Sequence, residues 1–213
     1  MTGQRWLEAG GLACAGVPIG ALAARLACRV DGVRAIAVIA MGAVIGYVIA
    51  DIVSGFVHWF CDRAFDESTP VIGRMLIEPF REHHRDPLAM THHDVLELLG
   101  NSAMGTAPIL TVAWWRSDAL FFDALIIAFG LGVIGSNVFH AWAHTTEPSR
   151  AVAWLQARWL VLPPAQHARH HHGAHDVAYC MTTGWMNALT DRVRLFVALE
   201  RVLRAVRAPV ARG

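Results

Sequence analysis

The chain has 213 residues, of which 55% are hydrophobic and 16% are charged, and its formal net charge is +1. Its mean hydropathy is +0.40. Because a soluble domain carries about 25% charged residues, this composition indicates a membrane protein, and the near-zero net charge argues against nucleic-acid binding. The four cysteines form no CxxC pair, which argues against structural zinc fingers and a disulfide scaffold. We expect a single domain over residues 1–213.

Four apolar stretches approach the length of about 20 residues that a helix needs to cross a bilayer. They are residues 9–28, 35–60, 101–115 and 119–139. We interpret the first as a membrane segment rather than a cleaved signal peptide, because it lacks a clear small-residue cleavage site. The third is short and contains Pro108, so we expect it to be tilted or partly re-entrant.

Two later stretches have the pattern of helices that lie at the membrane surface. Residues 150–162 alternate Arg with Trp and Leu, and residues 187–206 carry charges at roughly helical spacing. We therefore predict an all-α integral membrane protein with about four transmembrane helices and additional interfacial helices.

Four spans would place the N-terminus, residues 58–100 and residues 140–213 on one side of the membrane. That side carries 14 arginines and the opposite side four. The balance predicts that the first side is cytoplasmic, although the long C-terminal segment weakens the count. All 12 histidines would lie on this side.

Three of the predicted helices carry polar residues at same-face spacing. These sets are Asp51, His58 and Asp62; Asn137, His140 and His144; and His167, His170 and His171. Pro163 and Gly173 favour the start and the end of the helix that carries the last set. His172 would point away from the shared face of that helix.

Two shorter motifs add histidines between the second and third spans. The segment FREHHRDP predicts a short turn that carries His83 and His84 and ends before its proline. The segment THHD at residues 91–94 has capping-box spacing and predicts the start of a helix carrying His93. A lone histidine at a membrane interface is usually structural, but four such segments on one side predict a metal centre.

The number of histidines restricts the kind of metal centre. Eight or more histidines exceed the four ligands of a single zinc site. Soluble di-iron enzymes use Glu-x-x-His pairs, and the sequence contains none. Histidine boxes at a membrane surface favour instead the di-iron centre of integral-membrane desaturases and hydroxylases.

The segment DIVSGFVHWFCD at residues 51–62 resembles the D-x-x-S-G-x-x-H-W-x-x-D motif of the plasmanylethanolamine desaturases, the CarF/Kua-type membrane desaturases. The resemblance continues through TPVIG, FREHHRDP, NVFHAWAH, HxxHHxxxH and TTGWMN, and covers roughly residues 50–190. The segment REHHRDP favours the plasmalogen-forming branch, because the plant relatives that desaturate acyl chains carry a different segment there.

The resemblance implies a di-metal site on the cytoplasmic side. Its ligands would come from His58, His83, His84, His93, His140, His144, His167, His170, His171 and His175. We expect Asp51, Asp62, Asp94 and Asn137 to orient the ring nitrogens of these ligands. His92 and His172 fall outside the family pattern, so we leave them out of the site.

The resemblance also implies an activity, the removal of two hydrogens from the sn-1 O-alkyl chain of an ethanolamine phospholipid to form the vinyl ether of a plasmalogen. It implies two iron ions, O2 and two electrons. The electrons would come from a separate donor protein, because the sequence has no GxGxxG or haem-attachment motif. The host membrane would be a bacterial inner membrane or the endoplasmic reticulum.

Two alternatives remain open from the sequence. The first is a desaturase of the same family that acts on a fatty acyl chain of a phospholipid. The second is a metal transporter that uses histidines as relay ligands. Transporter sites lie near the bilayer midplane within broken helices, whereas these histidines lie at the ends of spans, which disfavours transport.

Overall fold

The computed structural model describes residues 3–207, and within this range the chain forms α-helices and no strand. The four long helices are α1 (Gly3–Arg29), α2 (Val33–Arg63), α4 (Val95–Arg116) and α5 (Leu120–His144), with the short helix α3 (Glu78–Arg85) between α2 and α4. The remaining helices are α6 (Arg150–Ala157), α7 (Pro164–His171), α8 (Asn187–Arg192) and α9 (Leu195–Arg207).

The four long helices are each long and apolar enough to cross a membrane, which confirms the four predicted spans. The prediction of a partly re-entrant third span is wrong, because Pro108 lies inside a continuous helix of 22 residues. At 1.5 Å per residue this helix is about 33 Å long, enough to cross a bilayer. Hydropathy underestimated its length because its first turn carries the polar Glu97.

The long helices pack as two parallel pairs, α1 with α4 and α2 with α5, and glycines allow the close approach. A Cβ atom at Gly42 or Gly46 of α2 would collide with the α5 carbonyl oxygens of Phe121 and Leu125. Small residues spaced by four are the usual means by which membrane helices approach each other closely. The backbones of α2 and α5 therefore form a rigid pair.

Several predicted element boundaries are wrong for local reasons. The predicted surface helix over residues 187–206 is two helices, because Arg194 adopts a left-handed backbone with φ of +53°. The predicted helix over residues 150–162 ends at Ala157, and Trp159 then turns with φ of +57°. The helix predicted from the THHD segment begins later, because the Asp94 carboxylate accepts the Glu97 N–H and caps α4. Of the THHD segment, only the last residue, Asp94, serves as the cap.

The segment between α7 and α8 returns into the helix bundle. Residues 178–184 are all buried although none of them is helical. The Asp51 carboxylate accepts the backbone N–H groups of Thr183, Gly184 and Met186 at 2.8 to 2.9 Å. Because irregular backbone at this depth must be satisfied by protein groups, Asp51 stabilises the returning segment.

We expect the Asp51→Ala variant to be strongly destabilised, because it leaves three buried N–H donors without an acceptor, on the order of 1–3 kcal/mol each. Thermal unfolding in detergent measures this loss. Asp31→Ala, in an exposed loop between α1 and α2, is the matched control. Equal unfolding temperatures for the two variants would contradict the role assigned to Asp51.

Candidate metal centre

The first wall of the centre is the end of α2, where His58 and Asp62 are one helical turn apart. His58 is fully buried. Its Nδ1 lies 3.1 Å from the Tyr179 carbonyl oxygen in the returning segment. This carbonyl fixes the ring so that Nε2 points inward, toward the Asp62 carboxylate at 3.5 Å.

The second wall is α3, which carries His83 and His84. Pro79 in its first turn favours the helix start, and the helix ends at Arg85, with Asp86 as its C-cap before Pro87. His83 is fully buried and neither of its ring nitrogens has a hydrogen-bond partner. Buried polar atoms in native proteins are almost always paired, so these free nitrogens fit the role of metal ligands.

The remaining walls are the last turn of α5 and the helix α7. His140 and His144 face α7, and His167 and His170 are buried on its inner side, with His171 beside them. The α7 helix has the bounds that its prolines and Gly173 predicted, and Gly173 has φ of +73°. The histidines that share a helix face in the sequence therefore line two surfaces, one on α5 and one on α7, that face each other.

The structure brings nine of the ten predicted histidines into three overlapping groups, each with ligand atoms within 4.8 Å of one another. The first group is His83, His140, His144, His167 and His171; the second is His58, His83, His84 and His170; the third is His84, His171 and His175. His83 belongs to both of the larger groups. The arrangement therefore has the ligand supply of two adjacent metal ions.

The ring nitrogens of the first group make more close contacts than hydrogen bonding alone can account for. The Nε2 atom of His167 lies 2.7 Å from that of His140, 2.9 Å from that of His144 and 2.9 Å from that of His171. A neutral imidazole has one N–H, so His167 Nε2 can serve at most one of these contacts as a donor. Two nitrogens bound to one metal at about 2.1 Å lie at similar separations. The donor set thus fits a metal ion.

Burial keeps His83, His167 and His171 neutral. Loss of solvent, helped by neighbouring imidazoles, lowers the pKa values of His83 and His167 well below the usual histidine range. The same causes lower the pKa of His171 to about 3. Neutral imidazole is the form that binds metal ions, so the site is ready for metal at neutral pH.

The lipid desaturase domain family matches residues 47–212. The chain belongs to this family. A plasmanylethanolamine desaturase of Myxococcus xanthus is 40% identical over 167 residues, which cover 75% of this chain and 58% of the relative. Plasmanylethanolamine desaturase 1 of Mus musculus is 33% identical, with 78% and 65% covered.

A plant member of the family is similar to the chain at about the same level. The chloroplastic fatty acid desaturase 4 of Arabidopsis thaliana is 36% identical over 164 residues, which cover 74% of this chain and 49% of the relative. The matched segment thus spans roughly half to two thirds of each relative's length. No solved structure matches the chain.

Asp62 contacts the second group of histidines directly. Its Oδ2 atom lies 3.1 Å from His84 Nε2, 3.3 Å from His170 Nε2 and 3.5 Å from His58 Nε2. The carboxylate therefore supplies negative charge where three ring nitrogens converge, and it can orient them or bind a metal itself.

The other three residues expected to orient the ligands make their hydrogen bonds to other groups. Asp51 binds the returning segment, and Asp94 caps α4 and pairs with Arg5 at 2.5 Å. Asn137 donates its side-chain N–H to Ser102 at 3.2 Å. His93 pairs with Glu97 at 2.7 Å and belongs to none of the three histidine groups.

Two backbone carbonyls and one phenylalanine complete the site without a sequence signal. The carbonyl oxygens of Tyr179 and Val177 hold the Nδ1 atoms of His58 and His170, at 3.1 and 2.8 Å. Phe80 packs against His58, His83 and His140, and it covers the histidines on the bundle side. Any residue can supply a backbone carbonyl, so the spacing of residue types in the sequence could not identify these acceptors.

We expect His83→Ala to lower the metal content below half of the wild-type value, because His83 is shared by both larger groups. Elemental analysis of purified protein reconstituted with metal measures the content per chain. His172→Ala is the control, since His172 is exposed and outside the three groups. Equal metal content in both variants would contradict the shared position of His83.

Proposed function

We propose that this chain is a membrane lipid desaturase that forms the vinyl ether bond of plasmalogens from 1-O-alkyl ethanolamine phospholipids. The observation that carries the proposal is the pair of histidine groups that share His83 at one end of four membrane-spanning helices. A site at this position can act on a lipid that never leaves the bilayer.

The family comparison supports the substrate. Two relatives are named plasmanylethanolamine desaturases, and one of them has the highest identity among the relatives described above. The segment REHHRDP at residues 81–87 also favours this branch. Its first five residues lie in α3 and include His83 and His84, so this segment lies at the metal centre.

The reaction needs an oxidant, because a C–H bond beside an ether oxygen has no acidic proton. Two iron ions held by the histidine groups would supply this oxidising power together with O2. In the balanced reaction, two hydrogens are removed from adjacent carbons of the chain. Together with two further protons and two electrons, they reduce O2 to two waters.

The chain's own residues hold and shield the site. Buried imidazoles would hold the metals, and Asp62 contacts three of these rings and can orient them. Phe80 keeps bulk water from the histidines on the bundle side. We propose that a separate protein delivers the electrons. We place the site on the cytoplasmic side of a bacterial inner membrane or the endoplasmic reticulum, on the arginine balance.

A second candidate is desaturation of a phospholipid acyl chain. The name of the Arabidopsis relative favours it, since that protein is called a fatty acid desaturase. Metal transport is disfavoured, because the histidines lie at helix ends and not within interrupted helices near the midplane.

We expect cells that contain alkyl ether phospholipid to gain acid-labile vinyl ether lipid when they express this chain, and only in the presence of O2. Lipid mass spectrometry before and after mild acid measures the product. His167→Ala should lower the product by about 100-fold or more at equal protein level, because it removes the central ligand of the first group. A new acyl double bond without vinyl ether would favour the second candidate.

A further inference from the structure

A cavity of about 290 Å³ lies between α2, α4 and α5, on the bundle side of the histidines. Its wall is mostly apolar, with Val53 from α2 and Phe129 and Val133 from α5. On α4 it extends from Asn101 to Ile109, eight residues or about 12 Å along the helix axis. We call this space the chain cleft. Apolar cavities with a few polar groups are the usual binding sites for small ligands.

The chain cleft opens sideways between α2 and α4. Val57 of α2 and Ile109 of α4 both line it, and they are 36% and 53% exposed. Because these helices span the membrane, the surface around this opening faces lipid. A lipid chain can therefore enter from the bilayer without passing through water.

Phe80 connects the chain cleft with the metal centre. Its ring lines the cleft and lies 5.5 Å from the His58 ring and 6.3 Å from the His140 ring, between centroids. Asn137 also lines the cleft and stands one helical turn before His140. Atoms at this level of the cleft are thus the nearest to the histidines.

A smaller cavity continues from this level to the end of the bundle. It shares Phe80, Asn101 and Asn137 with the chain cleft and reaches His93 and Glu97. The Glu97 carboxylate is partly exposed there and pairs with His93 at 2.7 Å. The combined space is mostly apolar, with the amides of Asn101 and Asn137 at the level of Phe80 and the charged Glu97 at one end. This gradient matches the polarity of a phospholipid.

We propose that the chain cleft binds the sn-1 alkyl chain of the ether phospholipid, with the head group at His93 and Glu97 and the chain end near Ile109. This inference rests on the proposed function for the identity of the lipid. The Glu97 carboxylate has the charge that complements the ammonium group of ethanolamine. His93, which the sequence assigned to the metals, becomes a positioning residue for the head group.

The orientation explains which carbons react. Glu97 and Asn101 are one turn apart on α4, about 6 Å in height, and Asn101 already lies at the level of Phe80. A head group at Glu97 therefore brings the first carbons of the chain beside the histidines. The middle of an acyl chain would require the head group to lie much farther from the site. The cleft thus favours reaction beside the ether oxygen.

Photolabelling in lipid nanodiscs tests the cleft independently of activity. Two ether lipids carry a diazirine, one near the ether oxygen and one at the far end of the alkyl chain, and mass spectrometry locates the labelled residues. We expect the first probe to label around Asn101 and Asn137 and the second around Ile109 and Phe129. The reverse pattern would overturn the proposed orientation.

A pair of matched glycine variants tests whether the cleft holds the chain. A Cβ at Gly105, in the cleft wall, meets no atom within 4 Å, and neither does a Cβ at Gly16 on the exposed side of α1. Gly105→Leu therefore adds a side chain in the cleft wall with no clash at its Cβ atom, and it should lower labelling at Phe129 by about tenfold. Gly16→Leu should leave the labelling unchanged.

The two proposals fail in different ways. Equal labelling in Gly105→Leu, Gly16→Leu and wild type would overturn the cleft even if vinyl ether is formed. A wild-type protein that labels as expected but forms no vinyl ether would instead contradict the proposed reaction and leave the cleft supported.

Discussion

The ring nitrogens of several histidines meet in one buried site, and hydrogen bonds alone cannot pair them all. The Nε2 atom of His167 has three histidine neighbours within 2.9 Å, and both nitrogens of His83 are buried without partners. Such unpaired groups cost free energy wherever they are buried. A metal ion would remove this cost, because it accepts several lone pairs at once. The rest of the architecture serves to bring these rings together.

The helix bundle supplies the rigidity that such a site requires. Glycines let α2 and α5 pack backbone to backbone, so His58 and His140 project from a fixed pair of helices. The returning segment, anchored at Asp51, then delivers the Tyr179 carbonyl to His58. Metal ligands held by such outer contacts keep their tautomer and orientation. The same helix pair lines the chain cleft, so a substrate in the cleft and metals at the histidines would be held by one rigid frame.

Helical periodicity accounts for most of the site that the sequence could predict. Residues at i, i+3 and i+4 share a face, which correctly paired His140 with His144 and His167 with His171. His93 lies apart because Asp94 caps α4, and the capping-box pattern alone placed the helix start too early. Asp51 was expected to orient the ligands because it shares a helix face with His58, but its hydrogen-bond partners lie more than 130 residues later in the chain. Contacts between distant irregular segments leave no periodic signal, and neither do the carbonyl of Tyr179 or the chain cleft.

The central claim is that the histidine groups hold two metal ions in a nitrogen-rich environment. X-ray absorption spectroscopy of the purified, iron-reconstituted protein tests this most directly. The account predicts an iron edge, a first shell of nitrogen and oxygen atoms at about 2.1 Å with imidazole scattering beyond it, and two irons per chain. A single tightly bound metal ion per chain, or a first shell without imidazole scattering, would contradict it.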